Sequence, residues 1–216
     1  MTVAIVDMER CMGCGLCVDL CPYKGATIIK EWKSRINETI CRGCGVCTGI
    51  CPSSALNMKY LTNRQILARV RVLLKTTRAG EVFEPKILIL ICDWLSRKGA
   101  NLSDVSRVQH SSNVRATKFP CIGAIDPMFI FDALLSGADG VLVAGCGVKD
   151  CDHIDGNINT ESRIKHAKMC LKDLGIGSER LRFELIPLSA ARAKFIEAVR
   201  EIIETVKSLG PNILQR

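Results

Sequence analysis

Cys11-Met-Gly-Cys14-Gly-Leu-Cys17-Val-Asp-Leu-Cys21-Pro22 is the stretch that decides how the N-terminal part of this chain folds. It returns thirty residues later as Cys41-Arg-Gly-Cys44-Gly-Val-Cys47-Thr-Gly-Ile-Cys51-Pro52. Both runs read C-x2-C-x2-C-x3-C-P, and together they hold eight of the 13 cysteines. Similarity at a fixed period indicates a duplicated module, which we expect to occupy residues 1–60.

The spacing within each run is the one that bacterial ferredoxins use to hold two 4Fe–4S clusters. Three closely spaced cysteines wrap one cluster, and the fourth, which precedes a proline, serves the other cluster. We therefore expect one cluster to be held by Cys11, Cys14, Cys17 and Cys51, and the other by Cys41, Cys44, Cys47 and Cys21. Zinc needs only four ligands per site, and disulfide frameworks belong to short secreted chains, so both explain the pattern less well.

Composition and charge narrow the class of protein. The longest apolar run, Ile87–Cys92, is too short to cross a bilayer, and the N-terminus lacks a cleavable signal, so we expect a cytoplasmic protein with no membrane span. The formal net charge is +8, but three iron–sulfur clusters of about −2 each would lower it to roughly +2. Aromatic residues make up only 5%, and no aromatic and basic stripe is visible, so we expect no nucleic-acid partner.

Residues 61–85 read as a connecting helix and linker. The pattern predicts a helix from Thr62, a good N-cap residue, to Ala79, with Gly80 as its stop. Its apolar face is formed by Ile66, Leu67, Val70, Leu73 and Leu74. Its other face is basic, and two interpretations remain open: a helix packed on its own domains, or a docking surface for an acidic partner.

Residues 86–216 predict an α/β domain, because strand-like and helix-like segments alternate. The expected fold class is thus an α+β module with two 4Fe–4S clusters, followed by an α/β domain with a four-stranded parallel sheet. The predicted strands are Lys86–Cys92, Val114–Phe119, Gly140–Ala144 and Leu181–Ile186. The predicted helices are Leu95–Val108, Pro127–Ser136, Thr160–Leu174 and Ser189–Leu209, the last ended by Gly210-Pro211.

A second set of cysteines, Cys92, Cys121, Cys146 and Cys151, falls at or just past the carboxyl ends of the first three of these strands. Ligands bind at that edge of open parallel sheets, so the four thiols predict a third metal site. The spacing leaves 2Fe–2S, 4Fe–4S and zinc open, and buried cysteines can also serve as small hydrophobic residues. We interpret Cys170 as core packing and His153 as a weak alternative ligand. No catalytic set is visible, so we expect a non-catalytic subunit.

Residues 83–211 resemble the delta subunit of methyl-viologen-reducing hydrogenase. The matching pieces are Phe83-Glu-Pro-Lys-Ile87, Ile91-Cys92-Asp-Trp94, Asn113-Val-Arg115, Gly137-Ala-Asp-Gly-Val-Leu-Val-Ala-Gly-Cys146, Asp150-Cys151, Gly156-Asn157 and Leu209-Gly-Pro211. The N-terminal module and its trailing helix resemble the C-terminal end of the A subunit of heterodisulfide reductase. The resemblance implies an electron-relay subunit between a hydrogenase or formate-dehydrogenase-type donor and a heterodisulfide-reductase-like flavin-based bifurcating complex. The expected partner is a flavoprotein like the A subunit of heterodisulfide reductase.

The same resemblance implies a 2Fe–2S cluster held by Cys92, Cys121, Cys146 and Cys151. Two departures from the family stand out. Its usual C-x-W-C has Leu95 in place of the second cysteine, and Ile122-Gly-Ala-Ile125 replaces the usual Ser-Gly-Arg-Val. The alternative function is a ferredoxin-like subunit whose C-terminal domain is a docking module with zinc or no metal.

Overall fold

Short antiparallel strands frame the N-terminal module. The structure, a computed structural model, describes residues 2–29, 31–75, 83–100 and 113–215. Strand β1 (Ala4–Val6) pairs with β4 (Leu56–Met58), so the two ends of the module lie side by side. Strand β2 (Ala26–Ile28) pairs with β3 (Ser34–Ile36) between the two cysteine runs.

The sequence between the two cysteine runs predicts a hairpin with its turn at Lys33-Ser34-Arg35, but the observed turn between β2 and β3 comes earlier. Ser34 and Arg35 already belong to β3. The Ile29 N–H donates to the Lys33 carbonyl at 2.9 Å, and Trp32 adopts a left-handed φ of 55°. Tryptophan rarely adopts that conformation, so the residue type gave no signal of where the chain reverses.

Each cysteine run ends in a short helix, α1 (Leu16–Asp19) or α2 (Val46–Ile50). Both helices begin after a glycine with a left-handed backbone, Gly15 at φ 82° and Gly45 at φ 80°. Glycine adopts that conformation without steric cost. The tight turn lets the first two cysteines of each run come from the loop and the third from the helix.

Helix α3 (Asn63–Leu74) follows the module and begins as predicted. The Thr62 side chain accepts from the Gln65 N–H at 3.2 Å, and the Gln65 side chain accepts from the Thr62 N–H at 2.9 Å, a reciprocal cap. Its buried residues are part of the same core as the C-terminal sheet. Arg71 pairs with Asp132 at 2.6 Å. These contacts favour the first of the two interpretations, a helix packed on its own domains. The predicted end of the helix, at residues 76–80, lies outside the described residues.

The C-terminal part contains a four-stranded parallel sheet within the described residues, as predicted. Strands β5 (Ile87–Cys92), β6 (Val114–Phe119), β7 (Gly140–Cys146) and β8 (Leu181–Ile186) lie in the order β6-β5-β7-β8. Every residue of β5 and β7 is buried, as is typical of central strands. Strand β7 is longer than predicted, so Cys146 is its last residue instead of following it.

Helices alternate with these strands. They are α4 (Asp93–Arg97), α5 (Pro127–Leu135), α6 (Ile158–Asp173) and α7 (Ala191–Leu209). The helix predicted over Leu95–Val108, with an interruption at Gly99, is found only in part. Helix α4 begins two residues earlier and ends at Arg97, so residues 98–100 are not helical, and the part beyond residue 100 lies outside the described residues. Helix α7 ends at Gly210, whose carbonyl accepts hydrogen bonds from the buried Arg180 guanidinium. In the described part of the chain, no helix has both the length and the apolar character of a membrane span.

One large hydrophobic core joins the sheet, α3 and one side of the N-terminal module, where it includes Val46. A smaller cluster lies inside the module itself. The interpretation of Cys170 as core packing is wrong, because this side chain is exposed. Helix α6 buries Ile164, Ala167 and Leu171 instead, and Cys170 falls just outside that stripe. The domain limits 1–60, 61–85 and 86–216 stay predictions.

Candidate metal centres

The first cavity of the N-terminal module draws its cysteines from both runs. Its lining includes Cys11, Cys14, Cys17 and Cys51. Apolar groups such as Ile28 and Leu56 fill the rest of the wall. The structure therefore brings the four residues of the first predicted ligand set to one cavity, although Cys51 lies far from the others in sequence.

The second cavity shows the reciprocal arrangement. Its lining includes Cys21, Cys41, Cys44 and Cys47, together with apolar residues such as Val46 and Ile36. The fourth cysteine of each run thus faces the cavity formed by the other run. This crossed placement is the one that a two-cluster ferredoxin requires.

Hydrogen-bond donors point at the sulfurs of both cavities. The Ser34 N–H donates to Cys11 Sγ at 3.3 Å, and Ser34 Oγ lies 3.1 Å from Cys17 Sγ. In the second cavity the Gly25 N–H donates to Cys21 Sγ at 3.2 Å. Such donors favour the thiolate form that a cluster needs.

Burial disfavours the thiolate form of several of these cysteines. It raises the pKa of Cys44 to about 11, and burial first, with neighbouring cysteines second, raises the pKa of Cys47 well above its usual value. Four thiolates in so apolar a space need a cationic core to offset their charge. The residues present therefore fit an iron–sulfur cluster in each cavity.

The third cysteine set meets at the carboxyl edge of the sheet. Cys92 and Cys146 are the last residues of β5 and β7, Cys121 follows β6, and Cys151 lies in the loop after β7. The sulfurs come in two pairs: Cys92 Sγ lies 3.5 Å from Cys146 Sγ, and Cys121 Sγ lies 4.0 Å from Cys151 Sγ.

The spacing within these pairs matches two thiolates bound to one metal ion. A tetrahedral ion with metal–sulfur bonds of about 2.3 Å separates two of its sulfurs by about 3.8 Å. No third Cys, His, Asp or Glu side chain among the described residues joins either pair closely enough to complete a single-ion site.

Within each pair of the third set, the pKa of one thiol is lowered and the pKa of the other is raised. The hydrogen bond from Cys121 and the backbone N–H groups of His153, Asn157 and Gly156 lower the pKa of Cys151 to about 6, although burial opposes them. The hydrogen bond with Cys151 and burial raise the pKa of Cys121. Cys92 and Cys146 show the same split, with the pKa of Cys92 lowered and that of Cys146 raised. The two sulfurs of each pair share a proton when only one of them is ionised, and a metal cation is needed for both to be thiolates.

Two residues near the third set bear on the departures from the family. Leu95, at the position where the resemblance implies a cysteine, is completely buried in the core. Nδ1 of His153 lies 3.1 Å from the Tyr23 hydroxyl, so this histidine contacts the N-terminal module. Tyr23 follows Cys21-Pro22, and no periodicity in the sequence predicted its contact.

The second cysteine run of the N-terminal module packs more closely against the third set than the first run does. Val46 is 1% exposed, whereas Leu16, at the matching position of the first run, is 39% exposed. A Cβ on Gly45 would lie 2.6 Å from the Ala124 Cβ, while a Cβ on Gly15 would meet open space. The unusual segment Ile122-Gly-Ala-Ile125 therefore forms the contact with α2, which is a role that sequence reasoning missed.

Comparisons with known proteins divide the chain in the same way. A sequence model of the family described as methyl-viologen-reducing hydrogenase, delta subunit, matches residues 87–210. A model described as a 4Fe–4S dicluster domain matches residues 4–52.

Curated relatives cover the chain as a whole or its C-terminal part. It is 37% identical over 209 residues to the A subunit of ferredoxin:CoB-CoM heterodisulfide reductase from Methanosarcina mazei, a match that covers 96% of this chain and 26% of that protein. It is 42% identical over 130 residues to the iron-sulfur D subunit of the vhu F420-non-reducing hydrogenase from Methanococcus maripaludis, which covers 60% of this chain and 96% of that protein. The chain thus spans about a quarter of the length of the heterodisulfide reductase relative.

Proposed function

Because the chain belongs to the family of the delta subunit of methyl-viologen-reducing hydrogenase, we propose that it is an electron-relay subunit. It would connect a hydrogenase or formate-dehydrogenase-type donor with a heterodisulfide-reductase-like flavin-based bifurcating complex. The relatives named above are subunits of a hydrogenase and of a heterodisulfide reductase, which supports this pair of partners. The observation that carries the proposal is the direct packing of the second cysteine cavity against the third cysteine set.

We assign the 4Fe–4S clusters to the two cysteine cavities and a 2Fe–2S cluster to the third set. The ligands would be Cys11, Cys14, Cys17 and Cys51; Cys41, Cys44, Cys47 and Cys21; and Cys92, Cys121, Cys146 and Cys151. Two sulfur pairs at 3.5 Å and 4.0 Å support one pair for each iron of a 2Fe–2S cluster. When bound, such clusters take up and release single electrons at potentials that hydrogen bonds and burial adjust.

The residues around the two cavities indicate which cavity faces the C-terminal domain and which faces a partner protein. Val46 and Tyr23 hold the second cavity against the loops of Cys121 and Cys151. The first cavity faces outward, with Cys14 exposed and Met12 65% exposed beside it. Exposed apolar residues at the rim of a site mark an interaction surface. We therefore place the flavoprotein partner, similar to the A subunit of heterodisulfide reductase, at the first cavity.

Iron content and paramagnetic resonance test this assignment. Protein purified without oxygen should contain about ten irons per chain, from two 4Fe–4S clusters and one 2Fe–2S cluster. Cys146→Ser should lower the count to about eight and remove the third signal, while both 4Fe–4S signals remain. Cys170→Ser is the matched control, because Cys170 is exposed on α6, and it should change nothing. A native protein with about eight irons and no third signal would contradict the relay through the C-terminal domain.

The second candidate function is a docking module. It is favoured by Leu95, which occupies the place of a family cysteine and is buried in the core. In that case the C-terminal domain carries zinc or no metal, and only the N-terminal module carries electrons. Metal analysis separates the two functions, because the docking module would give about eight irons with or without one zinc, and Cys146→Ser would leave the iron signals unchanged.

A further inference from the structure

A buried arginine lies where the N-terminal module meets the third cysteine set. Arg163, on α6, is 9% exposed. Its Nη2 donates to the Gly123 carbonyl at 2.8 Å and lies 3.3 Å from Thr160 Oγ1. Its Nη1 reaches α2, since a Cβ on Gly49 would lie 2.8 Å from it. The guanidinium therefore touches both halves of the chain.

Gly123 connects this guanidinium to a sulfur of the third set. The same residue that accepts the Arg163 hydrogen bond donates its N–H to Cys121 Sγ at 3.4 Å. Cys121 thus lies within two hydrogen bonds of a cation.

The positive charge of Arg163 has little compensation. A guanidinium keeps its proton in proteins. In the described part of the chain no carboxylate forms an ion pair with it, and its Nε has no hydrogen-bond partner there. One carboxylate, that of Asp126, interacts with it electrostatically without forming an ion pair. Asp126 is the N-cap of α5 and accepts the Met128 N–H at 2.9 Å. A buried, weakly compensated cation is costly, so a compensating negative charge is expected close by.

We propose that Arg163 sets the reduction potential of the third centre, by placing a fixed positive charge next to the Cys121 ligand. The inference rests on the proposed 2Fe–2S cluster. Reduction adds one negative charge at this site, and a nearby cation in a poorly screened interior stabilises the reduced form more than the oxidised form. Arg163 thereby raises the potential and makes the third centre a better electron acceptor. It is a positioning and charge-bearing residue and not a ligand.

Redox titration of the intact chain, followed by paramagnetic resonance, tests the proposal. Arg163→Met keeps most of the side-chain volume and removes the charge. It should lower the equilibrium constant for reduction of the third centre about tenfold, which lowers its reduction potential by about 59 mV for a one-electron couple. Arg163→Lys keeps the charge and should leave the reduction potential of the third centre almost unchanged. Asp126→Asn removes the opposing charge, preserves a good N-cap, and should shift the potential upward. Lys165→Met, on the exposed face of the same helix, should have no effect.

The outcomes separate this inference from the proposed function. Unchanged potentials in Arg163→Met and Asp126→Asn would overturn the role of the charge while the third centre stands. An equal fall in Arg163→Lys and Arg163→Met would overturn it too, since the hydrogen-bond fork and not the charge would then matter. If Arg163→Met abolishes the third signal, the Asp126→Asn variant decides the question. An upward shift of the reduction potential in that variant supports the role of the charge, and an unchanged potential overturns it. A native protein without any third signal would refute the centre itself.

Discussion

The Tyr23 hydroxyl lies 3.1 Å from Nδ1 of His153, although the two residues are 130 positions apart in sequence. Their rings meet edge to face with centroids 6.2 Å apart. Tyr23 directly follows Cys21-Pro22 of the second cavity, and His153 lies two residues after Cys151 of the third set. Burial raises the pKa of Tyr23 to about 12, so its hydroxyl stays protonated. This polar contact holds the Cys151 loop against the N-terminal module.

Tyr23→Phe should loosen that loop without changing the cluster content. The variant loses two hydrogen-bond contacts of the hydroxyl, with His153 Nδ1 at 3.1 Å and with the Asp152 carbonyl at 3.4 Å, each worth about 0.5–1.5 kcal/mol. We expect faster amide hydrogen exchange over residues 150–156, measured by mass spectrometry, with the iron count unchanged. Tyr60→Phe is the control, because Tyr60 is 71% exposed and its hydroxyl forms no hydrogen bond with the described residues. Equal exchange rates in the two variants would show that the contact does not hold the loop.

Val46→Ala should destabilise the chain more than the same kind of truncation at the matching position of the first run. Val46 packs between Gly123 and Gly156, so its truncation leaves a cavity and costs about 2 kcal/mol. For a protein of this size the unfolding midpoint should fall by about 4–8 °C in anaerobic thermal unfolding. Leu16→Ala removes more carbon but from an exposed position, and its midpoint should fall less. The reverse order would mean that the module does not dock through its second run.

Gly156→Ala should disrupt the third centre selectively. A Cβ at this position would lie 2.5 Å from Cys121 Sγ, which is too short for a contact between two atoms that are not bonded to each other. The backbone of Gly156 is not left-handed, so crowding of the sulfur is the cause and not strain at the residue itself. We expect loss of the third paramagnetic signal while the two 4Fe–4S signals serve as internal controls. A retained third signal would indicate that Cys121 can move without releasing its metal.

Cys51→Ser and Cys21→Ser should each affect the cavity of the other run. Cys51 lines the cavity of Cys11, Cys14 and Cys17, so its replacement should increase hydrogen exchange over residues 11–17. Cys21→Ser should do the same for residues 41–47. Each variant should also lose up to four irons, measured by colorimetric iron analysis. Increased exchange confined to the run that carries the mutation would contradict the crossed arrangement.

The sequence predicted those parts of the fold that follow from local pattern. Two phased cysteine runs predicted the dicluster module, and the continuous apolar run at Ile87 predicted a strand of the parallel sheet. Thr62 predicted the start of α3 through its capping chemistry. In each case, residues close in sequence carry enough physical information to specify the element.

The contacts between distant segments were not predictable in the same way. Val46 and Leu16 are equivalent in sequence, and only docking of one run against Gly123 and Ala124 makes them differ. Arg163 looks like an ordinary surface residue of α6, because a lone arginine in a polar helix gives no sign of burial. Cys170 was misjudged for the related reason that a few degrees of helix rotation separate a core position from an exposed one.

The strand order of the C-terminal sheet also has a consequence for biosynthesis. The two cavities of the N-terminal module are complete once the chain has folded as far as β4, which ends at Met58. The third set needs β6, β5 and β7 to lie side by side, and its last cysteine is residue 151. The cysteines of the two N-terminal cavities therefore leave the ribosome before those of the third set. In a chain that folds as it is synthesised, these two cavities can form before the third cysteine set comes together.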